Sequence, residues 1–244
     1  MKKFVDNAVA FKFRSAANNE PIMAIFTGLK RYSQNRKLGR MVTVYVVTDS
    51  ETSPQDAVHN GSDEAICGQC PMRPSLDGGC YVVKWMGPNA VGKSYKAGNI
   101  PVLTDVNELI DILIDRDLPI RWGEYGDAAM LPFEFVDAVM KGVKGLKHTS
   151  YTHQWNEDYF DPRHLRYSMA SIDHRNTVEM LRRRHTGDDV RYYRIIDDKA
   201  AITDGEIYCP SKDAAGKIKV NCADCGLCNG ANSKTKNITI VKGK

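Results

Sequence analysis

Asp105-Val-Asn-Glu-Leu-Ile-Asp-Ile-Leu-Ile-Asp-Arg-Asp-Leu-Pro-Ile-Arg-Trp-Gly-Glu-Tyr-Gly-Asp127 is the stretch that decides the fold class. Asp105 and Glu108 stand at capping-box spacing, and Val106, Leu109, Ile110, Leu113 and Ile114 recur at the intervals of one helix face. Residues 118–122 follow as a short apolar strand. The alternation continues downstream. Pro132 suits a helix first turn, with Phe133, Val136, Val139 and Met140 on one side. Strands are expected near 148–152, 166–172 and 190–196, with a helix over 177–185. Strands separated by helices imply right-handed βαβ units and a parallel sheet. The expectation is an α/β fold, a partial parallel (βα) barrel.

Upstream, residues 1–60 read as a β-rich, basic segment packed on this core, with a good strand at 41–47. Lys30, Arg31, Arg36, Lys37 and Arg40 precede that strand. Residues 61–200 make up the α/β part. Residues 201–244 form a Gly-, Asn- and Lys-rich extension with one closing strand at 238–241. The 244 residues are 42% hydrophobic and 26% charged, which excludes disordered and collagen-like chains. No apolar run suits a bilayer-spanning helix and no signal peptide is visible, so a cytoplasmic protein without membrane partners is expected. A net charge of +4 is too mild to argue for nucleic acid by itself.

The seven cysteines fall into two groups with none left over. Without a secretion signal, clustered thiols point to metal ligation rather than to disulfides. The C-terminal group reads Cys209-x12-Cys222-x2-Cys225-x2-Cys228. Three cysteines at successive short spacings crowd a single zinc ion but suit the separate corners of a 4Fe-4S cubane. The remote Cys209 is followed by Pro210, and Gly226 and Gly230 allow a tight backbone. Zinc is the alternative. The other group, Cys67-x2-Cys70-x9-Cys80, offers three thiolates. A fourth ligand from His59, His153 or Asp63 gives a closed zinc site; without one, a 4Fe-4S cluster has one iron open to substrate or cofactor.

Two further patterns carry chemistry. Gly87-Pro-Asn-Ala-Val-Gly92-Lys93-Ser94 matches the phosphate-binding loop letter for letter, with residues 81–86 as its candidate strand. Gly98 and Pro101 stop any following helix within about one turn, which counts against nucleotide binding. At the carboxyl ends of three successive strands stand Trp122-Gly-Glu124-Tyr-Gly-Asp127, Tyr151-Thr-His153-Gln-Trp155 and Ser171-Ile-Asp173-His174. Chemistry gathers at such ends in parallel α/β folds. Glu124, Asp127, His153 and Asp173 are therefore the candidate catalytic residues, each with a blander reading as cap or surface group.

The chain resembles an uncharacterised family of bacteriophage proteins through Cys67-Gly-Gln-Cys70-Pro, Gly79-Cys80-Tyr-Val, Gly123-Glu-Tyr-Gly-Asp127, Tyr151-Thr-His-Gln-Trp155 and the C-terminal cysteines. That resemblance spans about residues 40–240, lacks the Gly-Lys-Ser step and brings no established activity. More remotely, the motif order resembles radical-SAM enzymes: a three-cysteine loop, a strand ending Gly-Gly-Glu and a later one ending Ser-x-Asp. Cys67, Cys70 and Cys80, then Trp122-Gly123-Glu124, then Ser171-Ile172-Asp173 fall in that order. The resemblance implies an open iron binding S-adenosylmethionine, with Glu124 holding its amino group, and an auxiliary C-terminal cluster. The usual loop of those enzymes is Cys-x3-Cys-x2-Cys, and this one departs from it.

The expectation is thus an iron–sulfur protein of phage origin and the host cytoplasm, a redox or radical-SAM-type enzyme. Its partners would be an unidentified small-molecule or nucleotide substrate and an electron donor. One competing class is a zinc-stabilised nucleic-acid-binding module using 30–40 and Arg182-Arg183-Arg184. The other is a phosphate-loop nucleotide-binding protein.

Overall fold

The run Val42–Thr48 is β-branched and apolar on both faces, and it forms β3 between two neighbours. The computed structural model of the chain describes residues 6–32, 35–173, 176–186, 190–211, 217–231 and 235–241. The first of its two five-stranded sheets runs in the order β1 (Ala8–Arg14), β2 (Pro21–Thr27), β3, β4 (Ile120–Tyr125) and β5 (His148–Thr149). The first three strands pair antiparallel, and β3, β4 and β5 pair parallel. The segment read as β-rich therefore shares a sheet with the βα part of the chain.

The second sheet contains β6 (Tyr151–Thr152), β7 (Met169–Ile172), β8 (Tyr192–Ile196), β9 (Glu206–Tyr208) and β10 (Asn237–Val241). Its order is β6-β7-β8-β10-β9, and every pairing is parallel. The strand expected at 148–152 is broken at Ser150, which donates its N–H to Cys228 O at 3.0 Å. Its first half pairs with β4 and its second with β7, so one short segment is handed from one sheet to the other. The parallel sheet is present. A barrel is not shown: the strands fall in two sheets, and among the described residues no pairing joins the outer strands.

Seven α-helices are described: α1 (Pro54–Asn60), α2 (Glu64–Cys67), α3 (Gly87–Lys96), α4 (Val106–Arg116), α5 (Phe133–Gly142), α6 (Val178–Arg184) and α7 (Cys222–Cys225). Asp105 caps α4 through the Asn107 N–H, and α5 buries Phe133, Val136, Val139 and Met140, the face its periodicity marks. Each such side chain contributes roughly 1.5–3 kcal/mol on burial. The two helices approach closely at Gly142, where a Cβ would meet Ile110 Cδ1 at 2.5 Å. The main core lies between β1–β5 and these helices, and a second gathers Trp155, Phe160, Leu165, Ile172 and Leu181.

Three local readings are corrected. Residues 81–86 are turn and irregular chain, with Tyr81 75% and Trp85 68% exposed, so they find no strand partner. The strand expected from 166 begins at Met169, because Asp161 caps a 3-10 turn over Pro162–Arg166 first. The phosphate-loop motif is itself helix α3, N-terminal glycine included. Its amides serve the helix, so it forms no loop to cradle a phosphate. No helix among the described residues is long and apolar enough to cross a membrane.

Candidate metal centres

The C-terminal cysteines line one cavity, and Cys67 lies beside the end of β4 through the Asp127 N–H on Ile66 O. All seven cysteines are free thiols, none of them in a disulfide. Cys67 closes α2, and the chain then turns through Gly68 at φ 49. Arg73 fastens this loop from within. It meets Asp63 through Nε at 3.1 Å and Nη2 at 2.7 Å, and it donates to Gly68 O and Gly61 O. The pair is 5% and 2% exposed. Both contacts fall on Asp63 Oδ1. His59 sits exposed at the end of α1.

Burial pushes the Cys67 thiol up, with Cys70, Asp63, Cys80 and Asp127 adding to it electrostatically. Burial likewise raises Cys70 to about 12, and Asp127, Cys80 and Asp173 act in the same direction. The three thiols of the first group thus feel one another and two of the strand-end carboxylates. A cation placed among them would oppose this upward push and favour the thiolates.

Asp127 is the hub of this site. Its N–H reaches Ile66 O at 2.7 Å. Oδ1 accepts from Ala129 N–H at 3.0 Å, and Oδ2 accepts from Thr152 Oγ1 at 3.1 Å, His153 N–H at 2.9 Å and Gln154 Nε2 at 3.3 Å. Gln154 also donates to Cys67 O at 2.8 Å and accepts from Tyr159 Oη at 2.7 Å. One carboxylate therefore ties the ends of β4 and β6 to the cysteine loop. His153 Nε2 lies 3.9 Å from Asp173 Oδ2, and burial lowers the His153 pKa against the opposing pull of Asp127 and Asp173. Three of the four strand-end residues converge as expected. Asp173 does not cap α6, since Thr177 holds that position. His174 lies outside the described residues.

Glu124 is the exception. A β-bulge shifts the register between β3 and β4: Thr43 pairs with Arg121, but Tyr45 pairs with Tyr125. Gly123, at φ 65, makes the extra turn. Glu124 is thereby set opposite Arg121, with Oε2 3.4 Å from Nε, and beside Tyr45. Burial raises the Glu124 pKa and Arg121 opposes the shift.

The second group lines one small cavity. Cys209, Cys222, Cys225 and Cys228 share its wall with Lys37, Thr149, Tyr151, Tyr193 and Ile238. Asn221 caps α7 by accepting the Asp224 N–H, and Cys222 N–H and Ala223 N–H bond to Lys37 O and Leu38 O. Gly226 at φ 64 ends the turn, and Cys209 follows β9, with its N–H on Thr239 O at 2.8 Å. Burial pushes Cys228 up to about 12, with Tyr151 hydrogen-bonded to it. Among the described residues, no three His, Cys, Asp or Glu side chains already stand in ligating geometry. The donor set itself fits a four-thiolate group: four sulfurs on one cavity, contributed by a helical turn, the loop after it and a strand end.

The basic features are partly spent. Arg183 pairs with Glu179 at 2.5 Å and Arg184 with Asp158 at 2.7 Å, while the Arg40 guanidinium lies 4.4 Å over Tyr32. Arg73, Arg121, Gln154 and Tyr159 were not legible as site residues. Only the glycine at 68 beside a Cys-x2-Cys pair hinted that something packs closely there. A Cβ at Gly68 would collide with Tyr159 Oη and Gln154 Oε1. No family model, curated protein or solved structure matches the chain.

Proposed function

We propose that this chain is an iron–sulfur protein of phage origin that holds two 4Fe-4S clusters. One sits on Cys209, Cys222, Cys225 and Cys228, the other on Cys67, Cys70 and Cys80. The observation that carries the reading is the single cavity lined by all four C-terminal cysteines, from the end of β9 and from the segment 222–228. In the first site three thiolates leave, by count, one iron without a protein sulfur. Such an iron accepts a ligand from substrate or cofactor, S-adenosylmethionine being the one the motif order suggests, and a cluster supplies single electrons. Asp127 and Gln154 hold the loop, while His153 and Asp173 present a base and a carboxylate beside it. The parallel strands β3-β4-β5 of one sheet and β6-β7-β8 of the other follow one another in chain order, which supports a partial-barrel reading. A host-cytoplasmic redox or radical-SAM-type enzyme, served by an electron donor, is the activity this arrangement supports.

Anaerobic purification with metal analysis tests the reading. About eight irons per chain and a broad absorbance band near 400 nm are expected for two cubanes, by the four-iron stoichiometry. About four irons would confine iron to one group, and serine replacement of each group in turn identifies which. Zinc as the only metal, or no metal, overturns the proposal. Cleavage of S-adenosylmethionine by the reduced protein separates radical chemistry from simple electron transfer.

A further inference from the structure

Arg121 is a buried cation, 8% exposed, whose Nε has no partner in hydrogen-bond geometry. Its carboxylate neighbour, Glu124, stands off at 3.4 Å. A desolvated guanidinium with one loose counter-ion is costly unless further negative charge lies near it.

The structure shows where that charge belongs. Arg121 pairs in register with Thr149, a wall residue of the four-cysteine cavity. Its guanidinium carbon lies 4.8 Å over the ring of Tyr151, which is also a wall residue and is hydrogen-bonded to Cys228. Tyr151 in turn packs edge-on against Tyr193 at 4.9 Å, on the same cavity. Lys37 also lines the cavity.

We infer that Arg121 is a positioning residue for the C-terminal metal group: its fixed positive charge, relayed across the Tyr151 face, balances the net negative charge of four thiolates around the metal. The inference rests on the proposed metal site but adds a residue that ligates nothing. A cubane with a +2 core or a zinc ion in four thiolates has a net charge of about −2, and an adjacent fixed cation stabilises either. For a cubane it also favours the reduced state, which carries one more negative charge. Glu124 is its built-in attenuator, because the carboxylate competes for the same guanidinium.

The test uses the full chain with Cys67, Cys70 and Cys80 replaced by serine, so that only the C-terminal group binds metal. Metal retention against a chelator is compared for R121Q, R121K and E124Q, and the midpoint potential is read where the metal is iron. R121Q is expected to lose metal at chelator concentrations about tenfold or more below the parent, the scale of outer-shell substitutions. R121K is expected to stay within a few-fold of it. The reduction equilibrium of R121Q should fall about tenfold, about 59 mV for one electron. E124Q should move both quantities the opposite way. Retention and potential unchanged in R121Q overturn the inference while leaving the metal site standing. If R121Q fails to fold, R121K decides: retention like the parent supports a charge role, and loss supports mere packing against Tyr151. Absence of any metal from the parent overturns both the site and the inference.

Discussion

The two cysteine regions are fastened in different ways. The loop of Cys67, Cys70 and Cys80 is fastened by side chains that bond to one another: the buried Arg73–Asp63 pair, Gln154 on Cys67 O, and Asp127 joining two strand ends. The C-terminal region is fastened largely at backbone carbonyls. Its amides bond to Lys37 O, Leu38 O and Thr239 O, and buried Arg191 donates to Asn229 Oδ1, Gly230 O and Lys236 O, with small apolar clusters around Ala223 and around Cys228. A polar side-chain network holds its shape whatever the thiols bind. A segment with few buried apolar contacts takes more of its order from its ligand. On the proposed reading, the first site would keep its shape without its cluster, and the second would take part of its order from its metal.

Arg73→Ala should break the comparison most strongly. It strands Asp63 uncompensated in the interior and should cost about 3–5 kcal/mol in denaturant unfolding, collapsing the distinction in favour of the tail. Gly68→Ala forces a left-handed residue against Tyr159 and Gln154 and should cost about 1–3 kcal/mol. Metal analysis of that variant should show loss from the first group alone. On the tail side, Glu206 supports β9 through Arg194 at 2.6 Å. Despite the opposing effect of burial, Arg194 and the Thr203 N–H hold its pKa down to about 2. Because this value lies below that of the unfolded chain, the stabilisation is complete above about pH 4.3 and is lost as pH falls toward 2. Hydrogen exchange near Cys209 should therefore accelerate with acid before exchange near Cys67 does, and E206Q should abolish the difference.

Smaller effects sharpen the picture. Asn221→Ala removes the cap of α7 and should cost about 1 kcal/mol, read as weaker protection of residues 222–226. Arg183→Ala breaks an exposed pair remote from both regions and should change stability by less than about 1 kcal/mol. It serves as the control: a larger effect would mean that α6 supports a site in a way its contacts do not show.

Much of the scaffold was legible because it is local. The helices α4, α5 and α6 carry their caps and apolar faces within a dozen residues, and the strands β3, β4 and β8 are short apolar runs with breakers beside them. The strands β1, β2 and β9 were not singled out. Their pairing is non-local, and Glu206–Tyr208 has only three residues with which to announce itself. The Gly-Lys-Ser motif misled for the converse reason: a short pattern of letters does not say whether its amides face a ligand or their own helix. Candidate sites divided along the same line. Spacing grouped the cysteines, whereas Arg73 and Arg121 are ordinary basic residues until their burial is known.

The sequence alone determined how the cysteines are grouped along the chain and which helical faces are apolar, because spacing and periodicity are local properties. Tertiary structure alone decided that Asp127 rather than Glu124 joins His153 and Asp173. A bulge at Gly123 turns one carboxylate toward Arg121, while the parallel pairing of strands some 25 residues apart brings the other to the cysteine loop. Register and burial are set by contacts between distant segments, and no short stretch of chain encodes them on its own.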